Sequence, residues 1–225
     1  MDISPIILSL QTAVVATGIT FFIGLFAAWK VANLKHGKGI FDAVFTLPMV
    51  LPPTVTGFFL LILFGKNTWM GNYLASHDHG IIFTWKGAVL ASVVVTFPLM
   101  YRTTRSAFEQ LNPNLIDAGR TLGLSKRIIF WRIVFPNCFP GILGAAILSF
   151  SRALGEFGAT IMIAGNIPGK TQTAALAVYT AMQTGNRELA YQWVAVLVMI
   201  SLVAMLAMNA VNNRQELLIR KGGGR

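Results

Sequence analysis

Residues 5–29 read PIILSLQTAVVATGITFFIGLFAAW, without a single Asp, Glu, Lys, Arg or His. A helix needs roughly 20 apolar residues to cross the hydrocarbon of a bilayer, so this stretch is long enough to span. It is far longer than the apolar core of a signal peptide, and Met1-Asp2-Ile3-Ser4 ahead of it carries no basic residue. The expectation is a retained membrane helix.

Working outward, residues 43–65 and 189–213 are also free of charge. Residues 87–101 are short for a span. They become adequate if Lys86 snorkels outward and Ile81, Ile82, Phe83 and Trp85 form an interfacial end. A last run, 133–151, continues past Arg152 and Glu156 towards Ile163. The chain is therefore expected to be an all-α integral membrane protein, one domain over 1–225. Its five spans fall at about 5–29, 41–65, 81–101, 136–163 and 189–213. The Thr- and Gln-rich stretch 171–186 is too short to span and is bracketed by Lys170 and Arg187. It is expected to be external or re-entrant.

Charge sets the orientation. With the N-terminus outside, one cytoplasmic loop holds Lys30, Lys35 and Lys38, and the loop 102–135 holds Arg102, Arg105, Arg120, Lys126, Arg127 and Arg132. The C-terminal tail adds Arg214, Arg220, Lys221 and Arg225. Most of the 18 basic residues then lie inside, as the positive-inside rule requires. A sixth span at 171–186 would put the basic tail outside.

Composition agrees. The 225 residues are 55% hydrophobic and 12% charged, against about 25% charged in soluble domains. The net charge of +10 is spread through short gaps between apolar runs, which leaves no folded basic face for nucleic acid. Membrane lipid is the natural partner. Cys138 is the only cysteine, so neither an intrachain disulfide nor a Cys-based metal site can form.

Proline interrupts several spans: Pro48, Pro52 and Pro53 in the second, Pro98 in the third, Pro136 and Pro140 at the start of the fourth. Such breaks survive in lipid only where protein or a polar cavity satisfies the freed backbone groups. They fit either kinked packing or a lined pathway.

The loop 102–135 reads as two short helices. Asn112 can cap the first, with Pro113 at its first position, and Gly123 can end it in a left-handed turn. Leu115, Ile116, Ala118 and Leu122 give it an apolar side. Ser125 caps the second, whose Ile128, Ile129 and Ile133 run on to Pro136. A short amphipathic helix outside the membrane needs another surface, either lipid headgroups or a partner protein.

Here the sequence resembles a known family. Asp117-Ala118-Gly119-Arg120-Thr121-Leu122-Gly123, with Ile133 and Pro136 at matching distances, is similar to the EAA loop of ABC importer permeases. Asp117 stands for the motif's Glu, Gly119 for its second Ala and Phe135 for its Leu. Gly119 costs about 1 kcal/mol of helix propensity against alanine. The resemblance implies a coupling helix seated on an ATPase, with Asp117, Ala118, Gly119, Gly123, Ile133 and Pro136 as the coupling residues.

A second stretch, Ser151 to Thr160 followed by Gly165-Asn166-Ile167-Pro168-Gly169-Lys170-Thr171, is similar to the sulfate and molybdate permeases. Val178-Tyr179-Thr180 with Gln183-Thr184, and Leu47-Pro48 with Val50-Leu51-Pro52-Pro53, resemble the molybdate branch. This likeness implies a five-helix importer permease of the MetI type in a bacterial or archaeal cytoplasmic membrane. It also implies a homodimer, two cytoplasmic ABC ATPase subunits that hydrolyse the ATP, and an extracytoplasmic molybdate-binding protein. The chain itself would be no enzyme and need no cofactor. A sulfate or tungstate permease of the same family stays open as an alternative. So does a secondary oxyanion carrier, although no inverted repeat relates the two halves.

A dianion that must leave again should be held weakly, by hydroxyls and backbone N–H groups. Thr54, Thr56, Ser149 and Thr160 are the pathway candidates; each could instead hydrogen-bond between packed helices. Arg152 and Glu156 stand four apart on one face of the fourth span and are tolerable there only if paired or facing water. They form either a structural ion pair or part of the pathway. Two other patterns mislead. Ala164–Thr171 satisfies a relaxed phosphate-loop pattern but follows a membrane span, and His77-Asp78-His79 cannot converge on one ion.

Overall fold

The computed structural model describes residues 2–34, 36–77 and 79–222, without the side chains of 207–209 and 211–222. Lys35, Asp78, Arg225 and the side chains of Arg214, Arg220 and Lys221 lie outside the described residues. Among those described there is no strand. The helices are α1 (Ser4–Ala32), α2 (Lys38–Val50), α3 (Pro53–Phe64), α4 (Trp69–Ser76), α5 (Trp85–Glu109), α6 (Pro113–Thr121), α7 (Lys126–Ile129), α8 (Phe135–Leu154), α9 (Gly158–Ala164), α10 (Ala174–Gln183) and α11 (Arg187–Gly222). A π-helical turn, Phe130–Val134, joins α7 to α8. Four described helices are long and apolar enough to cross a bilayer, and the bent pair α2–α3 brings the number to five.

The packing shows which solvent the sequence was written for. The side of α1 turned into the protein carries Ser9, Thr12, Ala13, Ala16, Thr20, Gly24 and Ala28. Its outer side carries Phe22 and Phe26, 73% and 64% exposed. That inverts the soluble rule. Large apolar groups meet lipid, while small ones let helices approach closely. A Cβ on Gly24 would lie 2.8 Å from Met100 Cγ on α5. Polar groups on these faces return to their own backbone: Thr20 Oγ1 donates to Ala16 O at 2.9 Å and Thr96 Oγ1 to Ser92 O at 2.7 Å. Around this seam α5 packs against α1 and α8, and α11 against α8 and α10.

The second span is not one rod. α2 and α3 meet at 107°. Leu51 and Pro52 each precede a proline, which bars the helical region, and both are extended, with ψ of 142° and 135°. α3 then leans on α9. A Cβ on Gly57 would fall 2.7 Å from Ala159 Cα, so the two backbones nearly touch. Pro48, Pro98 and Pro140 stay inside continuous helices.

The expected fourth span, 136–163, also divides. It stops at Leu154, before Gly155, and resumes as α9 at Gly158. At its other end the helix begins earlier, at Lys126, and runs through the π turn. Pro136 cannot donate to the carbonyl four residues back, and the wide turn lies where that bond would fall. Next to it, Asn137 Nδ2 donates to Ile133 O at 2.6 Å.

α5 starts later and ends later than expected. Ile81 and Ile82 precede it as a loop packed on the α3–α9 contact, while Phe83 sits at φ 58° with its ring against Gly165. Arg102 and Arg105 belong to α5, because Tyr101, Thr104 and Phe108 continue its buried stripe to Glu109. α10 lies within 171–186, packed on α11 and α1. Its helical stretch, Ala174–Gln183, rises only about 15 Å, half a bilayer. Ala174 N donates to Ser9 Oγ at 2.8 Å. The Ala164–Thr171 segment leaves a helix rather than a strand and closes on itself, Ile167 N donating to Thr171 Oγ1 at 3.0 Å.

Candidate functional site

α6 takes the shape its caps dictate. Asn112 Oδ1 accepts from Asn114 N at 3.0 Å with Pro113 as first helical residue. Gly123 adopts φ 71°, its N–H donating to Arg120 O at 2.9 Å, and Leu124 N donates to Gly119 O at 3.1 Å. Ser125 Oγ then accepts from Ile128 N at 3.4 Å to open α7.

The apolar residues of α6 serve two faces. Ile116 and Gly119 turn inward, while Leu115, Ala118 and Leu122 are exposed, Leu122 to 77%. Gly119 is required for the inward packing. A Cβ there would lie 2.8 Å from Ile133 Cδ1 and 3.2 Å from Ile129 Cγ1. The residue that weakens the isolated helix thus lets α6 lie flat on the α7–π rod. Asp117 is exposed and pairs with Arg120 at 2.9 Å, and Pro136 is exposed where α8 begins. The six coupling candidates therefore divide. Gly119 and Ile133 hold the hairpin, Gly123 turns it, and Asp117, Ala118 and Pro136 face outward.

Arg152 and Glu156 do meet, with Arg152 Nη1 2.7 Å from Glu156 Oε2. They do not share one helix, because α8 ends before Glu156. Glu156, its side chain 1% exposed, also accepts from Ala159 N at 2.8 Å through Oε1. One carboxylate thus binds the last turn of α8 and caps the first turn of α9. Gly158 beside it lies against Thr54; a Cβ would come 3.2 Å from Thr54 N. Thr54, Thr56, Glu156 and Thr160 are brought together where α3 meets α9, and Arg152 reaches them through Glu156. Ser149 lies one turn before Arg152 on α8. Thr54 is exposed, whereas Thr56, Ser149 and Thr160 are buried, their hydroxyls without a hydrogen-bond partner among the described residues.

One cluster was not anticipated from sequence. Asp42 on α2 accepts from Arg105 and from the Tyr101 hydroxyl, the latter at 2.5 Å. Arg105 Nε donates to Glu109 Oε1 at 3.0 Å, and Lys38 Nζ lies 3.6 Å from the same oxygen. Asp42, Arg105 and Glu109 of this cluster line a cavity of about 360 Å³, and the cluster pins α2, which has no buried residue, to the end of α5. The only sequence signal was a lone acid, Asp42, at the edge of an apolar run.

Comparison with known proteins agrees with this architecture. Residues 20–217 match the family described as binding-protein-dependent transport system inner membrane component. The chain is 39% identical over 225 residues to the molybdenum transport system permease protein ModB of Haemophilus influenzae, covering 99% of this chain and 98% of that one. To ModB of Escherichia coli it is 42% identical over 186 residues, 81% of each chain. In fold it is similar to a chain of the inward-facing MetNI methionine ABC transporter, with a TM-score of 0.72 at 17% identity over 92% of each. Because that family match takes in all but the two ends of the 225 residues, the chain belongs to the family of binding-protein-dependent transport system inner membrane components.

Proposed function

We propose that this chain is the membrane permease subunit of an ATP-driven importer for molybdate. The observation that supports it most is the identity of about two residues in five, along nearly the whole length, with molybdenum transport permeases. Two copies would form one pathway and an extracytoplasmic binding protein would deliver the oxyanion. ATP would be hydrolysed by separate subunits beneath α6. The basic loops favour the N-terminus outside and the C-terminus in the cytoplasm.

In this reading the outward stripe of Leu115, Ala118 and Leu122 is the surface that meets the ATPase, and Gly123 sets its angle. The rigid continuation of α7 through the π turn into α8 carries movement of α6 towards the Arg152–Glu156 junction. Thr54 and the Arg152 face line the pathway. Thr56, Ser149 and Thr160 are covered in this conformation; Thr56 and Thr160 enter the pathway only where α3 and α9 part, and Ser149 only where α8 separates from its neighbours.

The substrate is tested by ATP hydrolysis of the reconstituted complex. Binding protein loaded with molybdate or tungstate is expected to stimulate it severalfold over unloaded protein. Stimulation by sulfate-loaded protein alone would assign the chain to sulfate import instead.

A further inference from the structure

We propose that a cavity of about 640 Å³ between the end of α1, α6 and α7 binds the phosphate headgroup of an anionic phospholipid. Its rim carries four cations from three elements: Lys30 in the last turn of α1, Arg120 on α6, and Lys126 and Arg127 opening α7. The rest of its lining is the apolar floor of Trp29, Ile116, Ile129 and Phe130, with Asn33 beside it, whose Nδ2 donates to Trp29 O at 2.8 Å. Trp29 is fixed edge-on to Phe130 and Phe108, with ring centroids 4.7 Å and 5.3 Å away, so the floor is rigid.

Most of this charge is unpaired among the described residues. Arg120 pairs with Asp117, but no carboxylate lies within 4.0 Å of Lys30, Lys126 or Arg127 among the described residues. Like charges gathered in one hollow repel each other, and a bound anion relieves that repulsion. Basic pockets between membrane helices on the cytoplasmic side suit anionic lipid headgroups.

Depth and amphiphilicity choose the lipid. Trp29 closes the charge-free run of α1, which sets the cavity at the level where aromatic rings meet headgroups. A phosphodiester on the rim would place its glycerol and first methylenes over the Trp29–Phe130 floor, whereas a free oxyanion would leave that floor wet. The exposed stripe of α6 points elsewhere, since the cavity uses Ile116 and the stripe uses Leu115, Ala118 and Leu122. The proposal rests on the chain being a membrane permease with α6 on the cytoplasmic side, but not on its substrate.

The full-length chain, purified in detergent and stripped of lipid, is given dioleoyl-phosphatidylglycerol or dioleoyl-phosphatidylcholine, and retained lipid is counted by native mass spectrometry. The glycerol lipid should be retained at about tenfold lower concentration than the choline lipid. The combined change Lys30→Gln, Lys126→Gln and Arg127→Gln should remove that preference. Lys30→Arg with Lys126→Arg should keep it, which separates charge from folding. Equal retention of the two lipids by the unaltered chain would overturn the proposal whatever the variants do. Displacement of the lipid by equimolar inorganic phosphate or molybdate would also overturn it, identifying a soluble oxyanion as the occupant.

Discussion

Gly123→Val and Gly123→Pro are expected to abolish transport while leaving the subunit inserted in the membrane. Gly123 sits at φ 71°. That conformation costs an L-residue roughly 1–2 kcal/mol, it is worse for a β-branched side chain, and proline, fixed near φ −65°, cannot adopt it. Nothing lies within 4 Å of a Cβ built there, so the strain is in the backbone alone. Relieving it would break the bond from Gly123 N to Arg120 O and turn α6 away from α7. Leu115, Ala118 and Leu122 would then point in a new direction. Gly123→Asn, which tolerates the left-handed region, should retain most activity. Uptake by cells carrying each variant, with ATPase recovery on purification, reads the effect. A fully active complex containing valine at this position would show that the turn does not aim a docking surface.

Glu156→Gln is expected to lower the yield of folded subunit more than any other single neutralisation along the chain. The carboxylate is buried between two helix ends and serves both, through Arg152 at 2.7 Å and Ala159 N at 2.8 Å. Glutamine keeps an acceptor for Ala159 N but leaves Arg152 uncompensated, at roughly 1–3 kcal/mol for a buried polar group that loses its partner. Arg152 is 38% exposed, which places the loss towards the lower end of that range. The double change Arg152→Gln with Glu156→Gln removes the charge imbalance and should recover the yield. Transport is the second readout. Recovery of yield and uptake together makes the pair a structural clasp between α8 and α9, and recovery of yield without uptake places Arg152 in the pathway.

How far the sequence could be read depended on how local each cause was. The charge-free run 5–29 declares α1, and the caps at Asn112, Ser125 and Gly123 are decided within four residues, so the α6 hairpin was legible in detail. Pro52-Pro53 announced a break in the second span, but its 107° depends on Gly57 meeting Ala159, a contact far along the chain. The spacing of Arg152 and Glu156 suggested one helix face. The two side chains meet, but not along one helix, because α8 stops before Gly155 and the carboxylate caps α9 instead. Gly155 and Gly158 flanking Glu156 were the available signal.

Gly119 illustrates the opposite error. By propensity it reads as a weakness in α6, whereas in the fold it is the clearance that Ile129 and Ile133 need. The Asp42–Arg105–Tyr101 cluster was invisible for a similar reason, since its members come from different spans. Arg102 and Arg105 looked like loop charges until the buried stripe of Tyr101, Thr104 and Phe108 carried α5 past them.

If α6 lies on the cytoplasmic side against an ATPase, thiols placed on its outward stripe will report it directly. Cys138 is the only cysteine and is buried, its Sγ donating to Ala107 O at 3.3 Å. Single thiols introduced by Ala118→Cys and Asn67→Cys can therefore be read in intact cells with a membrane-impermeant maleimide, and in isolated complex with a short bifunctional crosslinker. Asn67→Cys is expected to be labelled from outside. Ala118→Cys is expected to stay unlabelled in intact cells and to crosslink to the ATPase subunit. Labelling of Ala118→Cys from outside intact cells, or its failure to crosslink in a complex that hydrolyses ATP, would contradict that placement of α6.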